Sequence, residues 1–288
     1  MRVLLAAPSS PARLHNLVPL AWALRTAGHD VKIAGPHSFV DEILSTGCVA
    51  VDLEHDEALI DFAKLWRPEV VVSDAQAPGT AAARAVEAVA VRLLGALDET
   101  DAGDADTTYD TVPPSLRDAG SEARAVRHVP YFGPVVVPNW LRRKARRSRV
   151  LLSLTDATLF GPVFDAAAGL EAELLCATVP ERIPAGVTMP PNVRLVDSAP
   201  PAALLPTCAA VVHDGDAELA LAAVTHGLPQ LSLTESAIAS RIAAVGAGRV
   251  GEAGQIRELA ALSGAANALR DEIAALPAPR AMAAELTR

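Results

Sequence analysis

Between an apolar, strand-like run at 209–212 and an apolar helical run that starts near Leu219, the chain reads His213-Asp214-Gly215-Asp216-Ala217-Glu218. A strand-to-helix turn of this kind ordinarily offers bare backbone N–H groups and the positive end of a helix dipole to an anion. Here carboxylates occupy that place, and like charges at contact range repel by several kcal/mol in a poorly solvated site. The turn is therefore hostile to a phosphate-bearing ligand. A structural reading stands beside the chemical one, because acidic residues in the first turn of a helix cap it and meet its dipole. His213 likewise fits either a proton-transfer role or the satisfaction of buried backbone.

Near the start of the chain, Arg13 and His15 are two residues apart. A guanidinium is permanently protonated and cannot act as a base, but its planar fork grips an oxyanion. A histidine, with an ordinary pKa of about 6.5, exchanges protons near neutrality. The candidate catalytic set is Arg13, His15, Asp98, His213, Asp214 and Asp216, with Asp156 as a further carboxylate. Brought to one cleft, these groups would form a polarised acid/base pocket that needs no cofactor and no metal.

The elements that must position them alternate. Strands are expected at 2–7, 31–34, 70–73 and 90–95, and helices at 17–27, 39–46, 58–65 and 80–89. A loop rich in Asp, Gly, Ala and Thr follows at 98–111. A second series has strands at 150–153, 172–178, 193–196, 209–213 and 230–233, with helices at 164–170, 200–205 and 217–225. Further helices at 239–245, 256–263, 265–275 and 281–286 end the chain. Strands alternating with helices imply parallel, doubly wound sheets. In such sheets ligands bind beyond the carboxyl ends of the strands, where every candidate above falls. With 288 residues the chain exceeds the size at which one core stops growing, so two domains are expected. The divisions are 1–141 as a first Rossmann-like domain, 142–149 as a basic linker and 150–264 as a second Rossmann-like domain. Helices at 265–288 are expected to pack back on the first.

The formal charge of −9 argues against nucleic acid or an anionic membrane as the main partner. Arg142, Arg143, Lys144, Arg146, Arg147 and Arg149 run against that trend; an anion patch and a solvated linker are both open readings. Cys48, Cys176 and Cys208 lack disulfide or metal spacing and read as buried small hydrophobes of a reducing cytoplasm. His128 opens a strand-like segment and reads as structural. No apolar run reaches the roughly 18 residues of a membrane span, and a strand at the very start leaves no room for a signal peptide.

Several segments, in order, resemble the macrolide-type and other deoxysugar natural-product glycosyltransferases. Leu17-Val18-Pro19-Leu20-Ala21-Trp22-Ala23-Leu24-Arg25-Thr26-Ala27-Gly28-His29-Asp30-Val31 is similar to their L-V-P-L-A-W-A-L-R-A-A-G-H-E-V. Further matches are Trp66-Arg67-Pro68, Val112-Pro113-Pro114-Ser115-Leu116-Arg117, His128-Val129-Pro130-Tyr131-Phe132-Gly133-Pro134 and His226-Gly227-Leu228-Pro229-Gln230. The resemblance implies two facing Rossmann-like domains, the glycosyltransferase-B architecture, with the N-terminal domain reduced. It also implies where this chain departs. The relatives' donor loop A-A-V-V-H-H-G-G-A-G-T has become Ala209-Ala210-Val211-Val212-His213-Asp214-Gly215-Asp216-Ala217-Glu218-Leu219. Their basic His in S-H-L-F/Y-x-L-V-P-L has become Arg13, with His15 at the aromatic position. A phosphate-side Gly is Thr155, the acidic-aromatic sugar element after Gln230 is missing, and the acceptor segment between Asp98 and the Val112–Arg117 stretch, expected as a strand, is cut to a short loop.

These departures point to a tailoring protein of natural-product biosynthesis that no longer transfers sugar and instead cyclises, dehydrates, isomerises or hydrolyses a small-molecule intermediate. Two alternatives remain: a genuine small glycosyltransferase with a nucleotide-deoxysugar donor, and a non-catalytic partner of such an enzyme. Loss of the acceptor segment would bare apolar strand ends. The terminal helices or the second subunit of a homodimer would cover them.

Overall fold

A computed structural model describes residues 1–55, 58–96, 104–143, 145–196 and 200–287. The chain divides into two compact units, Met1–Pro134 with Ala275–Arg288, and Val135–Ala274.

The first unit runs β1 (Arg2–Ala6), α1 (Pro11–Thr26), β2 (Asp30–Pro36), α2 (Val40–Ser45), β3 (Val49–Leu53), α3 (Ala58–Trp66), β4 (Val70–Ser73), α4 (Gly79–Arg84), β5 (Val89–Leu94), β6 (Thr107–Asp110) and β7 (Arg124–Ala125). Its strands form one sheet in the order β3-β2-β1-β4-β5-β6-β7, and every pairing is parallel. Crossover helices cover a parallel sheet on both faces, so its central strands must be apolar throughout. Accordingly Val3, Leu4, Leu5, Val70, Val71 and Val72 are all at most 1% exposed. Helix α1 buries Leu14, Leu17, Val18, Ala21 and Leu24, a 3–4 spacing that puts one apolar stripe on the sheet.

Three expectations for this unit are corrected. Helix α1 begins at Pro11 rather than near Leu17, because proline at the first helical position wastes no N–H and its φ is already set. Arg13 and His15 therefore lie on a helix, not a loop. The stretch 98–111 is not all loop, since Thr107-Thr108-Tyr109-Asp110 pairs with β5 as β6; its β-branched and aromatic residues suit a pleated surface. The Val112–Arg117 stretch, expected as a strand, instead carries a single 3₁₀ turn at Pro114–Leu116. Two consecutive prolines there remove the ladder donors a strand needs.

The turn after β4 is fixed by close approach. A Cβ on Gly79 would overlap the Ser73 side chain. Gly79→Ala is accordingly expected to destabilise the protein by roughly 1–3 kcal/mol through a forced shift of α4, read as a lower urea midpoint with unchanged slope.

The second unit contains β8 (Ser148–Ser153), α5 (Phe160–Ala167), β9 (Ala172–Cys176), β10 (Val193–Leu195), α6 (Pro201–Leu204), β11 (Ala210–His213), α7 (Ala217–Thr225), β12 (Gln230–Ser232), α8 (Ala237–Ala244), β13 (Gly248–Val250) and most of α9 (Ser263–Ala275). The sheet order is β10-β9-β8-β11-β12-β13, again all parallel. Its core is built on Leu152, Phe160, Phe164, Leu174, Val212 and Leu231. Strand β8 starts at Ser148, inside the stretch read as linker, and Arg149 on it is buried. Where a helix at 256–263 was expected, 3₁₀ turns span Ala253–Leu262. The last helix, α10 (Pro279–Leu286), returns to the first unit, where Met282 and Ala283 join the cluster that holds α1. Among the described residues, no helix is long and apolar enough to cross a membrane.

Candidate functional site

In the second unit the chemistry gathers beyond the carboxyl ends of β8 and β11, which pair with His213 opposite Ser153. Past those ends, the Asp214 carboxylate reaches across to the turn after β8. One oxygen, Oδ2, accepts from the Thr155 N–H at 2.6 Å, the Thr155 hydroxyl at 2.6 Å and the Asp156 N–H at 2.8 Å. Three donors converging on one oxygen form an anion hole, and the chain fills it with its own carboxylate. Partial burial pushes the Asp214 carboxyl up, but the hydrogen bonds from the Thr155 hydroxyl and from the backbone outweigh it and hold the group below the usual carboxylate range.

Neighbouring acids have other tasks. Asp216 caps α7 by accepting the Leu219 N–H at 3.0 Å, and Asp156 caps the turn at Ala157–Leu159 through the N–H and hydroxyl of Thr158. Gly215 sits at φ +92°, a left-handed conformation that lets the chain turn from β11 into α7 with Asp214 pointing back. His213 is 1% exposed. Its Nδ1 accepts the Gly215 N–H at 3.2 Å, so Nε2 is the protonated nitrogen, 3.2 Å from Gln230 Oε1. Gln230 Nε2 in turn donates to the Ala220 carbonyl at 2.8 Å. Burial keeps the imidazole neutral, against the opposing pull of Asp216, Gln230 and Asp214. This network ties β11, β12 and α7 together.

In the first unit, Arg13 and His15 sit 200° apart around α1 and do not share a face. Arg13 Nη1 donates to Asp74 Oδ2 at 2.8 Å, with side chains 11% and 3% exposed. The other Asp74 oxygen accepts the N–H groups of Gln76 and Ala77, fixing the turn after β4. His15 Nε2 lies 3.4 Å from Glu42 Oε1 on α2, and its ring meets the Tyr131 ring edge-on at 5.2 Å. A cavity of about 240 Å³ opens beyond the carboxyl ends of β1 to β4, lined by Ala7, Ser9, Pro36, His55, Gln76 and Pro78 among others. Asp98 lies outside the described residues.

The structure therefore joins Asp214 to Thr155 and Asp156, places Asp216 and His213 around the same turn, and gives Arg13 and His15 separate acidic partners. Asp74, Glu42 and Gln230 are the participants that sequence reasoning missed. Asp74 was accessible, since a Ser-Asp pair closing a buried strand marks a strand end with an unneutralised acid. Glu42 and Gln230 gave no local signal. Among the described residues no group of three or more His, Cys, Asp or Glu is placed to hold a metal ion.

Two parallel-sheet α/β units in this order define a glycosyltransferase-B fold. The solved glycosyltransferase VinC, in complex with dTDP, superposes at a TM-score of 0.90 with 29% identity, covering 100% of this chain and 99% of that one. SnogD from Streptomyces nogalater superposes at 0.87 with 28% identity, covering 100% and 98%. The erythromycin biosynthesis protein CIII-like family matches with its N-terminal domain over residues 95–155 and its C-terminal domain over residues 162–288. The TDP-daunosamine transferase DnrS of Streptomyces peucetius is 31% identical, with 81% of this chain and 80% of that protein aligned. The chain belongs to this family of natural-product deoxysugar glycosyltransferases. The alignment with DnrS runs over 343 positions, more than the 288 residues here, so that relative carries segments without counterpart in this chain.

Proposed function

We propose that this chain is a tailoring protein of antibiotic-type natural-product biosynthesis that keeps the glycosyltransferase fold, has lost sugar transfer, and moves protons on a small-molecule intermediate without a cofactor. The observation that carries this reading is the Asp214 carboxylate seated in the anion hole of Thr155 and Asp156. A diphosphate oxygen would have to displace a covalently tethered carboxylate from three short hydrogen bonds and then sit beside its charge. Both costs fall on the ligand.

The proton-transfer group is His15, with Glu42 Oε1 3.4 Å from Nε2 orienting the ring. Taking a proton from one atom of the intermediate and returning it at another amounts to isomerisation or cyclisation. Arg13, on the opposite side of α1 and paired with Asp74, braces the turn after β4 instead of meeting the same intermediate. His213, with both ring nitrogens engaged inside the unit, acts as a structural residue, and Asp216 as a helix cap.

A second reading, a working sugar transferase, draws support from relatives such as DnrS, a TDP-daunosamine transferase, aligned over most of their length. Calorimetric titration with thymidine diphosphate and a thymidine diphosphate sugar separates the two, carried out in the Arg146→Ala/Arg147→Ala background so that the basic stretch at 142–149 offers no anion site of its own. The expected result is no saturable binding up to on the order of 1 mM, a ceiling of about −4 kcal/mol; micromolar affinity for the nucleotide sugar would establish the second reading instead. On the pathway intermediate, His15→Gln and Glu42→Gln are each expected to lower turnover at least about tenfold, a loss of roughly 1.4 kcal/mol of transition-state stabilisation. Wild-type turnover in both variants would remove His15 from the chemistry.

A further inference from the structure

At the opposite end of the second unit's sheet, before the amino ends of β8, β9 and β10, lies a cavity of about 320 Å³. Five arginines line it: Arg143, Arg146 and Arg147 from the segment that leads into β8, Arg149 on β8, and Arg194 on β10. A single carboxylate, Glu173, faces them. Asp214 and Thr155 are beyond the carboxyl ends of the same sheet, so this cavity is no part of the turn described above.

Its floor is built rather than incidental. Glu173 holds Arg149 at 3.0 Å with one oxygen and Arg194 at 3.6 Å with the other. The Arg194 guanidinium lies 4.2 Å over the Trp140 ring, and that of Arg149 lies 5.4 Å from its centre. Arg149 is 5% exposed, which a guanidinium tolerates only when it is paired. Asn192 fixes the adjoining turn by donating Nδ2 to the carbonyls of Ala167, Leu170 and Ala172. Above this floor the side chains of Arg143, Arg146 and Arg147 make no hydrogen bond or ion pair with any described residue.

Five guanidiniums against one carboxylate leave a local excess of positive charge in a chain whose net charge is −9. Gathering like charges costs energy in the unliganded protein, and an anion relieves that cost. A monovalent carboxylate would leave most of the excess standing. Forked guanidiniums match the paired oxygens of phosphate groups. The cavity is concave and small-molecule sized, whereas an extended polyanion would also meet the acidic remainder of the surface.

We infer that this cavity is a binding site for a small anion carrying two phosphate groups, separate from the turns at the carboxyl ends of the strands. The test is titration of the intact protein with inorganic diphosphate, orthophosphate and citrate by calorimetry. Wild type is expected to bind diphosphate saturably, with affinity falling steeply as salt rises. The double variant Arg146→Ala/Arg147→Ala is expected to bind at least about tenfold more weakly while keeping the wild-type circular dichroism, because both side chains are exposed and unpaired. Failure of wild type to bind diphosphate, equal binding by the arginine variant, or citrate binding as tight as diphosphate would each overturn the inference.

Discussion

Replacing Asp214 by alanine is expected to create an anion site where wild type has none. The substitution removes the carboxylate and leaves the Thr155 N–H, the Thr155 hydroxyl and the Asp156 N–H converging on an unfilled position. Phosphate oxygens compete for such donors on equal terms with a carboxylate, and the nearby α7 N-terminus adds its dipole. Thymidine diphosphate should then bind Asp214→Ala at least about tenfold more tightly than wild type, a gain of roughly 1.4 kcal/mol. The arginine pair variant described above keeps this readout free of the second basic cavity. Stability should move the other way. Hydrogen bonds to a charged group contribute about 1.5–3 kcal/mol each when buried, and partial exposure of Asp214 reduces the whole set to roughly 1–2 kcal/mol. Because the folded-state pKa is depressed, this contribution is present above the unfolded value near 3.9 and is lost as pH falls through the folded value. A variant with reduced stability and no gain in diphosphate affinity would mean that Asp214 braces the turn without excluding a ligand.

Most of the fold was legible because its signals are local and redundant. Apolar runs such as Val70-Val71-Val72 are short, bounded by breakers and alternate with helical periods, which leaves a parallel sheet as the arrangement that buries both faces. The elements that escaped are those whose identity depends on partners. Thr107-Thr108-Tyr109-Asp110 is too polar to announce a strand, and becomes one because β5 offers an unpaired edge beside it. Gly248-Arg249-Val250, where no strand was expected, pairs with β12 for the same reason.

Site legibility followed the same division. The acidic turn at Asp214 stood out because it contradicts the chemistry of its own backbone, and the carboxylate does occupy a set of anion donors. Its partner Thr155, 59 residues earlier, was visible as a type of residue but not as a contact. Arg13 and His15 stood out by type, but their closeness in sequence did not convey their placement, since two residues along a helix separate faces. The basic stretch at 142–149 left a solvated linker and an anion patch both open, and the sequence alone does not show that Glu173 and Arg194 stand beside it. A run of one charge gains meaning only from what the sheet places against it.

Acidification from pH 7 to pH 5 is expected to destabilise the protein through His128 before any carboxylate protonates. Burial lowers the His128 pKa to about 4, and its Nε2 has no hydrogen-bond partner among the described residues. Between the unfolded value of about 6.5 and the folded value, the unfolded chain takes up a proton that the folded chain refuses. Stability is therefore full above pH 6.5 and falls as pH drops through that window, by about 2 kcal/mol at pH 5 and about 3 kcal/mol near pH 4. His213 and His226, whose pKa values burial also lowers, add in the same direction. His37, raised by its hydrogen bond to Asp52, opposes them from a fully solvated position where the effect is screened. His128→Leu removes the titration and the unpaired polar atom together. At pH 7 it should match wild type within about 1 kcal/mol. At pH 5 it should melt roughly 4–8 °C higher in scanning calorimetry, since each kcal/mol moves Tm by about 2–4 °C at this size. Equal melting temperatures at pH 5 would show that protonated His128 finds a solvated or paired position within the folded unit, and the acid sensitivity would then have to come from His213 and His226.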